Sequence, residues 1–199
     1  INNPDLKMLI HHHLGAYMSW NSDSTDLSRW VDMEANLVRN SWGTRTSYNT
    51  KTGAFTYMND NVNGNWDAKL AAGFSRSIDK QHRFRFSADA KLGYVRSVDF
   101  DIDYDNKGAE LSKVNTWSPS VGASLTYQLK DFLWKVKGKY EGKYSCSNLE
   151  IFEDIKACDF QYGTELQYTI PWMKVGIQTD LIMFTRKGYN SNEMNTDDL

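Results

Sequence analysis

Residues 83–100 put Phe84, Phe86, Ala88, Ala90, Leu92 and Tyr94 at successive even positions, followed by Arg96, Val98 and Phe100. The odd positions hold Arg83, Arg85, Ser87, Asp89, Lys91, Gly93, Val95, Ser97 and Asp99. Successive side chains of a strand point to opposite faces, so this run has one apolar face and one charged face. Wound as a helix, both sets would scatter around the circumference and bury nothing cleanly. Ordinary strands run ~5–6 residues. A tilted strand crossing a bilayer takes ~9–11 and then extends into its loops. A strand of about 17 residues therefore suits a wall that crosses something thick.

Seven further segments repeat the alternation and are predicted as strands: 5–20, from 27 to about 38, 66–78, 117–129, 132–146, 158–170 and 173–183. The phase slips at Val38, which predicts a bulge near Arg39. Pro119 cannot donate to a ladder and calls for an edge or a bulge. The links at 21–26, 79–82, 130–131 and 171–172 are short. Those at 48–64, 99–113 and 147–157 are rich in Asn, Asp, Ser, Thr or Gly and read as long loops. Short and long links alternate, so all the short ones fall at one end of the sheet. Outer-membrane barrels have this asymmetry. The expected fold is all-β, an antiparallel up-and-down meander of about eight long strands. It forms a transmembrane β-barrel or part of one, as a single domain over residues 1–199.

Aromatic residues make up 14% of the chain, and on the apolar face they gather near strand ends. Phe74, Phe86, Trp134 and Trp172 lie toward the short links; Trp66, Tyr94, Trp117 and Tyr140 lie toward the long ones. From Phe74 to Trp66 a tilted strand covers roughly 20 Å, close to the ~25 Å apolar band between aromatic girdles. If 66–78 and 83–100 pair about their short link, Phe74 meets Phe86 and Trp66 meets Tyr94. The opposite face carries charge deep into the strands. Unpaired buried charges cost several kcal/mol each, so that face must meet water, in bulk or in a lumen.

Net charge is −2, which leaves no electrostatic footprint for nucleic acid. No apolar run reaches the ~18 residues of a transmembrane helix. There is no initiating Met and no signal peptide, and the polar residues 190–199 close no strand. The chain reads as a piece of something longer.

Cys146 and Cys158 bracket the third long loop with the same face parity. Pairing about that loop sets them opposite each other and predicts a structural disulfide, the plainer reading being two small residues packed at a rim. Lys135, Lys137, Lys139 and Lys143 form a row on the charged face that could steer anions. The same pairing sets Lys139 opposite Glu165, which favours internal charge balance. His11, His12 and His13 suggest metal, but a strand turns His12 away from the other two. Asp99, Asp101, Asp103, Asp105 and Gly108 resemble a calcium loop, but Asn106 stands where the EF-hand needs Gly and Ser112 where it needs Glu. No metal site and no cofactor is expected. No Ser-His-Asp set, G-x-S-x-G, P-loop or dinucleotide motif occurs, and no enzyme is expected.

Three stretches carry a resemblance: Ser47-Tyr48-Asn49-Thr50-Lys51-Thr52-Gly53, the run from Tyr57-Met58-Asn59-Asp60 to Gly64-Asn65-Trp66, and Tyr94-Val95-Arg96-Ser97-Val98-Asp99-Phe100. They resemble the outer-membrane β-barrel family proteins of Bacteroidetes, which are similar to the barrel part of TonB-dependent receptors. The resemblance covers essentially the whole chain and rests on strand and loop patterns. It implies a cell outer membrane location, outer-membrane lipid as the surrounding partner, and a receptor- or transporter-like parent. Further strands, a plug and any link to a TonB system would belong to parts of that parent not present here. A piece lacking strands can also oligomerise or roll its apolar face inward. From another class comes a soluble lipocalin-like barrel holding a small apolar ligand inside. A third reading is a surface-adhesive protein acting through its long loops. Patterning alone is symmetric between the membrane barrel and the lipocalin-like one.

Overall fold

Alternation over long runs becomes eleven strands and no helix in the computed structural model, which describes residues 3–105, 107–149, 152–189 and 195–196. They are β1 (Ile10–Ser22), β2 (Leu27–Arg39), β3 (Ser41–Asn49), β4 (Ala54–Val62), β5 (Asn65–Ser77), β6 (Phe84–Phe100), β7 (Asp103–Tyr104), β8 (Leu111–Leu129), β9 (Phe132–Ser147), β10 (Ile155–Ile170) and β11 (Val175–Lys187). Eight form one antiparallel sheet in the order β1-β2-β5-β6-β8-β9-β10-β11. A three-stranded sheet, β4-β3-β7, stands at the end where the longer connections lie.

The large sheet is a meander, as expected, and it stays open: β1 and β11 are its edges. Registers run unbroken from strand to strand. From Met18 the row passes through Val31, Ala72, Ala90, Val121, Tyr140 and Phe160 to Thr185. Met18 lies four residues from the short-turn end of β1, and Thr185 lies ten from that of β11, a stagger of six. Stagger of this kind accompanies strands tilted within a barrel wall.

Several expectations are corrected. Residues 48–64 are no long loop, because β3 and β4 form a hairpin there. Their Asn and Thr residues read as turn chemistry, yet they alternate with aromatics along two short strands. No bulge forms near Arg39, since the β1–β2 pairing is continuous through Ile10↔Arg39. The phase change comes instead from Asn40, whose φ of 53° turns the chain out of the large sheet. Pro119 sits inside a central strand. The β8–β9 ladder stops at Trp117↔Tyr144 and resumes at Ser120↔Glu141, so the missing donor opens a gap rather than an edge. The β5–β6 register is displaced by two: Phe74 faces Ala88 and Ala68 faces Tyr94. The expected ring contacts survive as diagonals, Phe74–Phe86 at 5.8 Å and Trp66–Tyr94 at 4.6 Å.

At the short-turn end, one carboxylate ties three strands together. Asp26 precedes β2 and accepts hydrogen bonds from the Ser77 hydroxyl at the end of β5 and from Arg85 Nη2 of β6 at 2.6 Å; its Oδ2 also lies 3.1 Å from His82 Nδ1. The Ser77 hydroxyl first, then His82 and Arg85, hold the Asp26 carboxyl down at about 2 from its ordinary 3.8. The folded value is the lower one. The clamp is therefore in force above the unfolded value of ~3.9 and is lost as pH falls toward the folded one. Thermal stability of the full chain in detergent is expected to drop between about pH 4 and pH 2, and Asp26→Asn is expected to flatten that limb. An equally steep limb in the variant would assign it to other carboxylates.

Candidate functional site

The sheet has no packed core. Among the described residues only Val62, Ala71, Val98 and Ala157 are buried apolar side chains. The accessible surface is 14252 Å², against about 9,600 Å² expected for a compact monomer of this mass. Most of the large apolar side chains left exposed in the eight strands lie on one face, which runs across all of them. One register row across it reads Phe86, Leu125, Val136, Thr164, Leu181; another reads Ala88, Ala123, Gly138, Tyr162, Met183. Aromatic rings flank this middle zone on both sides. Toward the short turns, Phe84–Tyr127 lie 4.6 Å apart and Tyr127–Phe132 6.3 Å apart, with Trp134 donating its indole N–H to Thr164 Oγ1 at 2.8 Å. Trp172 stands in the last short turn, 83% exposed. Toward the long connections, Trp66, Tyr94 and Trp117 form a chain with 4.6 Å steps, and Tyr140 meets Phe160 at 5.0 Å.

Charge divides between the faces more sharply than the runs suggested one at a time. Asp32, Glu34, Asp67, Asp89, Asp99, Glu141, Asp159, Glu165 and Asp180, the carboxylates within the eight strands, all share the face opposite the apolar one. The apolar face carries cations alone, and only at its ends. Arg29 and Arg76 lie toward the short turns; Arg39, Arg96, Lys113, Lys156 and Lys187 lie toward the long connections. Of these, the alternation of residues 83–100 already placed Arg96 on the apolar face; the others become a pattern only when the registers set the strands side by side. Long cationic side chains can keep their stems on apolar surface and lift the charge to water.

The charged face is held by local pairs. Lys69 Nζ lies 3.0 Å from Asp32 and 3.4 Å from Glu34. Lys137 Nζ reaches Asp180 on β11 at 3.0 Å, Lys139 pairs with Glu141 at 2.8 Å, and Arg186 lies 3.8 Å from Asp159. The expected Lys139–Glu165 opposition is corrected: the register sets Lys135 opposite Glu165 and Lys139 opposite Gln161. Lys143 faces Ala157 and makes no ion pair among the described residues. Lys135, Lys137 and Lys139, with Asp89, Ser124 and Gln161, line a groove of about 430 Å³. Its mixed charge and hydroxyls suit a wetted surface.

The expected disulfide is also corrected. The β9–β10 pairing sets Cys158 opposite Gly142, four residues along from Cys146, and both thiols are free. The connection is asymmetric, with Ile155 at the start of β10 opposite Ser145, which slides Cys158 four residues past Cys146. Maleimide labelling of the unfolded, unreduced chain is expected to add two labels; a mass two hydrogens lighter and unlabelled would restore the bridge. Of the histidines, His13 Nδ1 lies 2.8 Å from Asn36 Oδ1, and no cluster of three potential metal ligands exists among the described residues. In the acidic stretch, Asp103 is 3% exposed, lies 3.6 Å from Arg45 and accepts the Gly108 N–H. Asp105 accepts both the Thr50 hydroxyl and the Thr50 N–H, which hold its carboxyl below the ordinary range. These aspartates close loops onto the β3–β4 hairpin. No family model matches the chain, and no curated protein or solved structure does either.

Proposed function

We propose that this chain is the wall of a transmembrane β-barrel, its apolar face on lipid and its charged face on a wet lumen. Within that class, it is an outer-membrane protein of the receptor- or transporter-like kind that its sequence resembles, located in the cell outer membrane. One observation carries the reading: an uninterrupted apolar face without carboxylates, bounded at both ends by aromatic rings and then by cations. Hydrocarbon solvates the middle of such a face, and the interfaces take the rings and the snorkelling cations. In water the same face would be an exposed patch far beyond the 300–600 Å² that soluble monomers tolerate. Apart from the gap at Pro119, the backbone of each central strand pairs with its neighbours, which the hydrocarbon demands. Edge strands β1 and β11 then require strand partners, which closure of a barrel supplies. Transport follows from the resemblance. Any coupling to a TonB system would act through parts outside this sheet.

Tryptophan quenching by bromine-labelled lipid tests the reading. Trp66 lies on the apolar face, whereas Trp30 lies on the charged face beside Gly73. A chain keeping only Trp66 is expected to be quenched in bilayers, and one keeping only Trp30 is expected to be spared. The reverse pattern, or a chain that stays dispersed in water without detergent, would point to an apolar face turned inward, as in a soluble ligand-binding barrel.

A further inference from the structure

The small β4-β3-β7 sheet has two unlike faces. One packs toward the large sheet: a side chain at Gly43 would strike Val62, Asp99 and Phe100, and Asn65 of β5 bonds Ser41 Oγ at 2.7 Å. Arg45, Met58 and Asp103 share this face. The other face turns away. The register places Trp42, Thr44, Thr46 and Tyr48 on it from β3, and Asn61, Asn59, Tyr57 and Phe55 from β4, with Tyr104 beside Tyr48. Along the three strands it presents only aromatic, Thr and Asn side chains, with no aliphatic group and no charge.

The rings form an open platform. Phe55 and Tyr57 are within 11° of parallel with centroids 6.1 Å apart, too far for one to cover the other. They are 52% and 57% exposed. Tyr48 tilts against Phe55 at 4.6 Å, and Tyr104, 53% exposed, stands edge-on to Tyr48 at 6.0 Å as a side wall. The amide and hydroxyl groups of Thr44 and Asn59, 3.3 Å apart, border the rings. Lys7 is bonded by Asn61 and Trp42, and Asn3 donates to the Asn59 carbonyl, so the N-terminal segment runs along that edge of the face, while Phe55, Tyr57 and Tyr104 stay more than half exposed.

This composition discriminates among ligands. Insertion into lipid would use aliphatic neighbours, and Tyr48 lies seven residues past the start of β3, roughly 20 Å along the hairpin from the aromatic row of the wall. Protein interfaces add Met or Arg anchors. A nucleic-acid strand needs a basic track beside the rings. A pyranose has flat C–H faces and a hydroxyl rim, which match ring faces bordered by Asn and Thr, groups that both donate and accept. We propose that the Tyr48–Phe55–Tyr57–Tyr104 face binds a neutral oligosaccharide, with sugar rings stacked on Phe55 and Tyr57.

The test is affinity electrophoresis of the full chain in a non-glycosidic detergent, in native gels containing amylose, laminarin, xyloglucan or mannan. Retardation by at least one polysaccharide is expected. Phe55→Ala with Tyr57→Ala is expected to weaken it about tenfold or more, as loss of a stacking surface does. Phe55→Trp, which keeps a flat ring, is expected to retain it and shows that the hairpin still folds. Migration unaffected by all four polymers overturns the proposal, as does retardation that survives the double substitution. The lipid-quenching experiment is scored on other residues, so either result can stand without the other.

Discussion

Ala88→Arg is expected to destabilise the bilayer-embedded protein by about 2 kcal/mol, the cost of a cation between the interface and the midplane of a barrel's lipid face. Ala88 lies on the apolar face between Phe74 of β5 and Ala123 of β8, just inside the rings toward the short turns. Its neighbour Ser87 points the other way, into a row with Ser75 and Ser124. Ser87→Arg forfeits one hydroxyl contact of 2.9 Å to Ser75 and places its charge beside water and Asp89, so a change of well under ~1 kcal/mol is expected. The pair is read by urea unfolding in lipid vesicles. Adjacent residues with the same substitution differ only in face. Equal costs for the two would remove the lipid from one side of the wall.

Gly163→Val is expected to release β11 from the sheet. A side chain there would meet the Leu181 carbonyl and, at 3.3 Å, the Ile182 Cα, both backbone atoms of the strand it pairs with. Backbone cannot rotate out of the way as a side chain can, and overpacking of this kind costs about 1–3 kcal/mol. β11 has a neighbour on one side only, so it is the element that yields. Lys137 reaches Asp180 past the same glycine, and that 3.0 Å bridge is expected to be lost with it. Faster hydrogen exchange confined to β11 is the readout. Gly138→Val on β9 is the control: its nearest neighbour is the Gln161 carbonyl at 3.9 Å, an ordinary contact. If both substitutions act alike, glycine flexibility rather than space is at issue.

Much of the wall could be read from residue order. Two-residue periodicity located all eight long strands and sorted their faces, because inward and outward positions alternate strictly along a strand. The ends were harder. Residues 48–64 of the β3–β4 hairpin read as loop because their Asn, Thr and Gly content outweighs Tyr48, Phe55 and Tyr57. Those rings are the platform on which the oligosaccharide proposal stands. Register was the weakest inference. A slip by two or four residues keeps every side chain on its face, so patterning cannot detect it. Hence Phe74 and Phe86 meet diagonally, Lys135 rather than Lys139 stands opposite Glu165, and Cys146 never reaches Cys158.

Sequence by itself determined that this protein is all strand, with one greasy side and one ionic side, and that its short turns share an end. Those properties follow from local sterics and from the period of the side chains, which need no partner strand to be defined. Tertiary structure alone decided how far each strand slides against the next, that the sheet remains open at β1 and β11, and that carboxylates are confined to one side across all eight strands. Pairing register is fixed by turn geometry and by contacts between residues far apart in the chain, and no single run of sequence holds that information.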